Sequence, residues 1–479
     1  MSTLYGSDAI AGVINIITRK SSDEKIKFHA KTAYGSFNTN ELSLGANGRS
    51  GILGYSVNLS RDFTEGITEA DPGQNSGFNK DGFERRAIST RISLDAFEGF
   101  TITPFLNYSD YDGDYDAGAF ADGDNRYEAS LLNTGARVNY ETGDLELRHA
   151  TTFTQTERKF TDAFGVFNPS ASLLNSDLFG MYNKFESVRF LAGFNVQELN
   201  FELNGIDEGS QILSPYLTAY FESGFGLNGE LGVRLNDHSE YGSNWTFNIA
   251  PVYNVNEQVK LLASVSSGFK APTLNELFGP FGSNTNLKPQ RSLTFDTGIE
   301  FNSSDMKFSG SVIYFQRKID DLISYDSNLG YINLNEQNDS GIEVKMEYSL
   351  PLTQAEVFYN FLDGAITQNG EETDNLIRRP DHSFGLKVSQ LITEELRVNL
   401  FGKYVGERED VFFNTNNFMN ESVTLDSYVL VDLDIQYKFL NDKLDLFASV
   451  NNLLNADYTE VYGFNTPGIH YKAGLRFSF

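Results

Sequence analysis

No cysteine occurs among the 479 residues of this chain, which removes disulfides, thiolate metal sites and cysteine nucleophiles together. Such a composition suits a protein that crosses an oxidising compartment unfolded. Basic residues are scarce as well: 37 Lys and Arg stand against 65 Asp and Glu, a formal net charge of −28. That balance excludes nucleic acid as a partner, because its binding needs clustered positive side chains. The surplus negative charge must be solvated or met by cations. Long apolar runs are missing too, and nothing approaches the ~18 consecutive apolar residues of a spanning helix. Any membrane crossing therefore falls to strands. Met1 opens neither a basic nor an apolar leader, so no signal peptide is expected within this sequence. An exported protein would then be represented by a processed form or a fragment.

What the chain does contain is aromatic side chain: 40 Phe and 24 Tyr, although there is a single Trp. The mean hydropathy is nevertheless −0.34, as expected when apolar residues occupy only alternate positions. Period-two runs recur from end to end. Ile26, Phe28, Ala30 and Thr32 alternate with Lys25, Lys27, His29 and Lys31; Ile88, Thr90, Ile92 and Leu94 alternate with Ser89, Arg91 and Ser93. Val429, Val431, Leu433 and Ile435 do so with Asp432, Asp434 and Gln436, and Leu444, Leu446, Ala448 and Val450 with Asp445, Ser449 and Asn451. Short polar turns are expected at Gly143-Asp144, Asn228-Gly229 and Asn441-Asp442, and long loops at 64–84, 112–126 and 407–426. Soluble cores stop growing at roughly 250 to 300 residues. A membrane barrel escapes that limit because lipid covers its outside, and alternating tight turns and long loops are its signature. The pattern predicts about 22 antiparallel strands over 21–479, a transmembrane β-barrel in an all-β protein.

The last nine residues form one more such strand. Tyr471, Ala473, Leu475, Phe477 and Phe479 share one face, Lys472, Gly474, Arg476 and Ser478 the other. Lys472, Gly474, Phe477 and Phe479 resemble the terminal signal by which outer-membrane barrels are recognised for assembly. The first twenty residues differ: Leu4-Tyr5-Gly6-Ser7 is a turn, and Ala9-Ile10-Ala11-Gly12-Val13-Ile14-Asn15-Ile16-Ile17-Thr18 reads as an apolar strand packed inside protein. This segment closely resembles the end of the plug domain of TonB-dependent outer-membrane receptors, with Leu4, Tyr5, Gly6, Gly12 and Asn15 at motif positions. The segments Gly268-Phe269-Lys270-Ala271-Pro272-Thr273-Leu274-Asn275-Glu276-Leu277-Phe278 and Asn286-Leu287-Lys288-Pro289 agree with the same family, as does Asn451-Asn452-Leu453-Leu454-Asn455-Ala456-Asp457-Tyr458. Gln290 departs from the Glu common after that Leu-Lys-Pro. Val461-Tyr462-Gly463-Phe464-Asn465-Thr466-Pro467-Gly468 is most similar to the cobalamin-receptor branch, although siderophore receptors share much of it.

The resemblance implies a plug remnant over 1–20 and a receptor barrel over 21–479. It implies a location in the outer membrane of a Gram-negative bacterium, surrounded by outer-membrane lipids and reached through the barrel assembly machinery. A large scarce nutrient, cobalamin first and an iron-siderophore complex second, would bind at the extracellular mouth. The inner-membrane TonB complex would supply energy through a segment upstream of Met1. No enzymatic step and no required cofactor are expected. Two rivals stay open: a passive porin, and an outer-membrane hydrolase, which would need a Ser or Asp with a partnered His on facing strands.

Among chemical candidates, Asp110, Asp112, Asp114 and Asp116 would share one face of an extended strand at about 6.6 to 7 Å intervals, where a hard cation such as Ca²⁺ is the natural counterweight. By family similarity Asp81 and Asp116 are the best-matched calcium ligands, with Asp71, Asp122 and Asp124 as additions. A plain solvated acidic loop meets the same pattern. Tyr111, Tyr115 and Phe120, with Phe412, Phe413 and Phe418, could stack on a large amphipathic ligand. Gly224-Phe225-Gly226-Leu227-Asn228-Gly229 has the dinucleotide spacing but lies between strands without a helix, and reads as a turn. The five histidines have no metal spacing. Lys25, Lys27, Lys31, Arg86 and Arg91 are expected to line the lumen.

Overall fold

Tight turns and alternation produce one closed wall. The computed structural model describes residues 6, 12–14, 24–73, 77–326, 328–373, 376–414, 419–440 and 443–479. Every strand pairing is antiparallel, and the main sheet closes because the strand Lys27–Gly35 bonds both Thr39–Ser50 and the C-terminal strand His470–Ser478. Two three-residue pieces, Gly165–Phe167 and Glu371–Thr373, extend neighbouring hairpins. The remaining 22 strands make the barrel, as the alternation predicts, and closure leaves no free edge.

The register fixes the two faces. Phe28, Ala30, Thr32 and Tyr34 lie in line with Phe477, Leu475 and Ala473, and these in turn with Leu444, Leu446, Ala448 and Val450. This apolar face is the outer wall, where Phe28 and Phe479 close the seam with ring centroids 5.5 Å apart. Inside the seam, Glu41 receives both Lys31 (2.5 Å) and Lys472 (2.7 Å). One end carries brief turns, such as 51–52 and 143–144. At the other, strands as long as Gly330–Ser349 (20 residues) project and longer loops join them.

Several expectations need correction. Asn228 and Gly229 lie within the strand Leu227–His238, and the turn is 223–226 instead. The region 407–426 is no irregular loop: Arg408–Asn414 and Met419–Leu425 form a separate antiparallel hairpin over the mouth. Arg86 faces outward rather than into the lumen, because it shares a face with Ile88 and stands in register with Arg61 and Asp110. Gly12, Val13 and Ile14 form no strand, and Ile14 is 92% exposed; a lone strand has no neighbours to satisfy its ladder or cover both faces. Leu4, Tyr5, Asn15, Asn441, Asp442 and Phe418 lie outside the described residues.

Candidate functional site at the extracellular mouth

Loops of neighbouring hairpins are tied together above the barrel. Ala70, in the loop 65–82, forms a bridge with Phe464, and Asp71 N–H and Phe120 N–H both donate to Gly463 O at 2.9 Å. Asp116 stands where these loops meet. Its carboxylate accepts from Ala70 N–H (2.7 Å), Gly123 N–H (3.0 Å) and Thr68 Oγ1 (3.0 Å), while Asp81 accepts from Glu69 N–H at 2.6 Å. The two carboxyl groups are close enough to influence each other's protonation. Burial, with the neighbouring Asp116 charge, pushes Asp81 up to about 6 despite the Glu69 donor. Burial acts on Asp116 in the same sense, but its three donors hold it below the usual carboxylate range. Glu69 nearby is raised by burial and by Asp116.

The rest of the aspartate run goes elsewhere. Asp110 and Asp112 lie in register with Arg86 and Glu84 on the outer wall, and Asp112 pairs with Arg126. Asp114 sits against Gly82. Only Asp81 and Asp116 are brought together, since strand alternation holds Asp110 and Asp112 outward while the chain turns in after Tyr115. Among the described residues no three acidic or histidine side chains gather as a metal cage.

The expected stacking aromatics divide. Phe120 packs edge-on to Tyr462 at 5.1 Å, and Phe412 lies 4.6 Å from Tyr462, so these rings join three loops. Tyr111 lies under the Arg85 guanidinium, 5.8 Å from the ring centroid. Tyr115, near Phe160 and Tyr127, lines a cavity of about 950 Å³. Its other walls include Phe160, Phe201, Phe281, Tyr325 and Tyr331.

A short helix, Leu274–Phe278, edges this cavity. Thr273 and Glu276 cap each other's backbone N–H groups, a capping box that starts the helix after Pro272. The helix reaches back onto the strands Val188–Leu203 and Ile206–Glu222 and buries Leu277. Phe201 was legible from phase. Asn195 and Gln197 face inward on Val188–Leu203, so Leu199, Phe201 and Leu203 at the same parity put apolar groups where a wet lumen needs polar ones. Phe281, Tyr325 and Tyr331 carry no such signal.

Deeper in the lumen, Arg234 is buried. It donates to Asn236 Oδ1 (3.0 Å) and Asn195 Oδ1 (2.9 Å) and lies 5.2 Å from the Tyr216 ring centroid. Gly6, with φ of +102°, sits against this group: a Cβ there would stand 3.6 Å from Arg234 Nη2. A serine–histidine contact exists, His149 Nε2 to Ser176 Oγ at 3.0 Å, but among the described residues no acid bonds the other ring nitrogen. That is not a triad.

A closed barrel of this size, with braced loops over an aromatic mouth and an N-terminal residue seated in its lumen, has the form of an outer-membrane nutrient receptor. Residues 27–453 match the family model described as TonB dependent receptor-like, beta-barrel, and the chain belongs to that family. It is 26% identical to the vitamin B12 transporter BtuB of Photobacterium profundum over 495 residues, covering all of this chain and 78% of the relative. Against the same transporter of Vibrio cholerae the identity is 24% with the same coverage. The fold matches the ferripyoverdine receptor of Pseudomonas aeruginosa with a TM-score of 0.84, 15% identity, and coverage of 100% of this chain and 75% of that one. The siderophore receptor PirA of Acinetobacter baumannii gives 0.83, 17%, 100% and 84%. The protein is thus a TonB-dependent receptor for nutrients in the outer membrane of a Gram-negative bacterium. The family is one of receptors and transporters rather than enzymes.

Proposed function

We propose that the nutrient is a large, weakly charged amphipathic molecule of the cobalamin type. The carrying observation is the mouth cavity: aromatic and aliphatic walls dominate, and among the described residues Arg158 and Asp162 are its only charged lining. Anionic iron complexes would call for clustered basic donors, whereas a broad, nearly neutral ligand gains from ring stacking and apolar burial. The full-coverage similarity to vitamin B12 transporters supports the same reading. Residues 1–20 act in this proposal as the end of a plug, of which Gly6 sits against Arg234, and TonB supplies the energy for transport. Lys472, Gly474, Phe477 and Phe479 are read by the assembly machinery.

Calcium enters the proposal at one place. A divalent cation between Asp81 and Asp116 takes the place of the proton on Asp81 and so keeps the loops clasped at neutral pH. Calorimetric titration of the purified receptor with cyanocobalamin, and separately with a ferric catecholate, tests the substrate. Cobalamin binding that weakens roughly tenfold in Phe201→Ala and in Tyr331→Ala is the expected result. Binding of the catecholate alone overturns the cobalamin reading in favour of a siderophore.

A further inference from the structure

On the outer wall two positive charges face each other where a sheet normally avoids it. Arg61, on the strand Leu53–Thr64, stands in direct register with Arg86 on Phe83–Phe97. Like charges directly opposite destabilise a sheet, and here one carboxylate relieves them: Oε1 of Glu84 accepts from Arg61 Nε at 2.8 Å and from Arg86 Nε at 2.9 Å. This arrangement fixes both guanidinium groups through one nitrogen each. Among the described residues the Nη groups of both have no hydrogen-bond partner. Both side chains are more than half exposed.

Immediately toward the membrane centre the surface becomes apolar. Leu44, Leu59, Ile88 and Tyr108 form the next row, in register across four strands. With Leu42 they line a shallow groove of about 500 Å³ whose upper edge is Arg61, Arg86 and Asp110. All of these residues share the lipid-facing parity, and the arginines lie at the end of the barrel that carries the long loops.

We propose that this is a binding site for a phosphorylated lipid of the outer leaflet. Its phosphate sits on the open Nη edges of Arg61 and Arg86, and an acyl chain lies along Leu44, Leu59 and Ile88. Guanidinium groups suit phosphate because each offers paired donors in one plane, and a basic pair at headgroup depth above an apolar groove matches the two halves of such a lipid. Glu84 is a positioning residue that holds the two forks side by side. Asp110, opposite Arg86 on its other flank, with Glu84 balances the charge of the two arginines and directs the phosphate toward the open Nη edge on the Arg61 side. A soluble phosphate would use only the upper half of the site, and the groove has no role in its binding.

The test is native mass spectrometry of the detergent-solubilised receptor titrated with lipid A and, in parallel, with dephosphorylated lipid A. The wild type should hold one lipid A far more tightly than the dephosphorylated form. Arg61→Gln/Arg86→Gln should weaken lipid A roughly thirtyfold; Leu44→Asn/Leu59→Asn should weaken both forms. Arg91→Gln, on the same strand but facing inward, should change neither. Should the glutamine variant fail to fold, Arg61→Lys/Arg86→Lys keeps the charge and loses only the fork, and an intermediate affinity is expected. Equal retention of phosphorylated and dephosphorylated lipid by the wild type, or of lipid A by the arginine variants, overturns the proposal. Displacement of lipid A by millimolar inorganic phosphate with no effect of the leucine changes also overturns it.

Discussion

Asp81 and Asp116 are neighbouring carboxyls joining two loops of the mouth, Asp81 anchored by Glu69 N–H at 2.6 Å and Asp116 by Ala70 N–H at 2.7 Å. Asp81, raised by burial to about 6, contributes stability that is present at low pH and lost as pH rises through that value. Asp116, held low by its N–H donors, contributes stability that is lost only as pH falls below the ordinary carboxylate range. The clasp is therefore tightest near pH 4 and loosens as pH rises through about 6. In chelated buffer, amide exchange across 65–82, corrected for intrinsic rates, should accelerate as pH rises from about 4 to about 6. Added Ca²⁺ should cancel the acceleration, and Asp81→Asn should abolish the pH dependence. A wild-type profile that is flat with pH refutes the role of Asp81 protonation.

The hairpin over the mouth hangs on a buried carboxylate. Asp410 is fully buried and accepts from Arg378 Nε (2.7 Å) and Tyr462 N–H (2.8 Å). Removing the cation strands that charge, which costs about 3 to 5 kcal/mol when a buried pair is broken. Arg378→Ala should therefore release the hairpin, seen as protease cleavage within 408–425, while Asp410→Asn should be milder. Equal protection in wild type and Arg378→Ala would show that the ring contacts of Phe412 and Tyr462 suffice.

Leu433 and Asp434 are neighbours with opposite surroundings. Leu433 is in register with Leu400 and Val450 on the outer wall, and Asp434 with Ser449 inside. Leu433→Arg should cost roughly 2 to 4 kcal/mol if it lies near the bilayer midplane; Asp434→Asn should be almost silent. Folding into lipid vesicles, followed by heat-modifiable migration, measures both. Equal tolerance at the two sites would contradict the assigned faces.

Gly474 has a steric reason to be glycine. A Cβ there would lie 2.3 Å from Thr32 O and 2.6 Å from the Phe447 ring, in the strand that closes the barrel. Gly474→Val should block closure even though Lys472, Phe477 and Phe479 remain. Normal assembly of that variant, measured by the same migration shift, would mean that the ring of Phe447 moves aside without cost.

Period-two alternation, with its rhythm of short turns and long loops, determined that this chain is a barrel of about 22 strands and, along the clearest runs, which residues face lipid, though not for Arg86. The reason is local: a strand alternates its side chains whatever its neighbours are, and a wall between lipid and water needs opposite chemistry on its two faces. The terminal strand was legible for a related reason, as a contiguous run of residues. The mouth was not. In Asp110 to Asp116 the spacing shows four equivalent carboxylates, yet register sends Asp110 and Asp112 to the outer wall and the turn after Tyr115 brings Asp116 alone to Asp81. Phe160, Phe201, Phe281 and Tyr331 become one cavity only because barrel closure and the fold-back of Leu274–Phe278 place distant segments side by side. Arg61 opposite Arg86 is likewise a product of register, since a shift of one residue between those strands would turn one of them into the lumen.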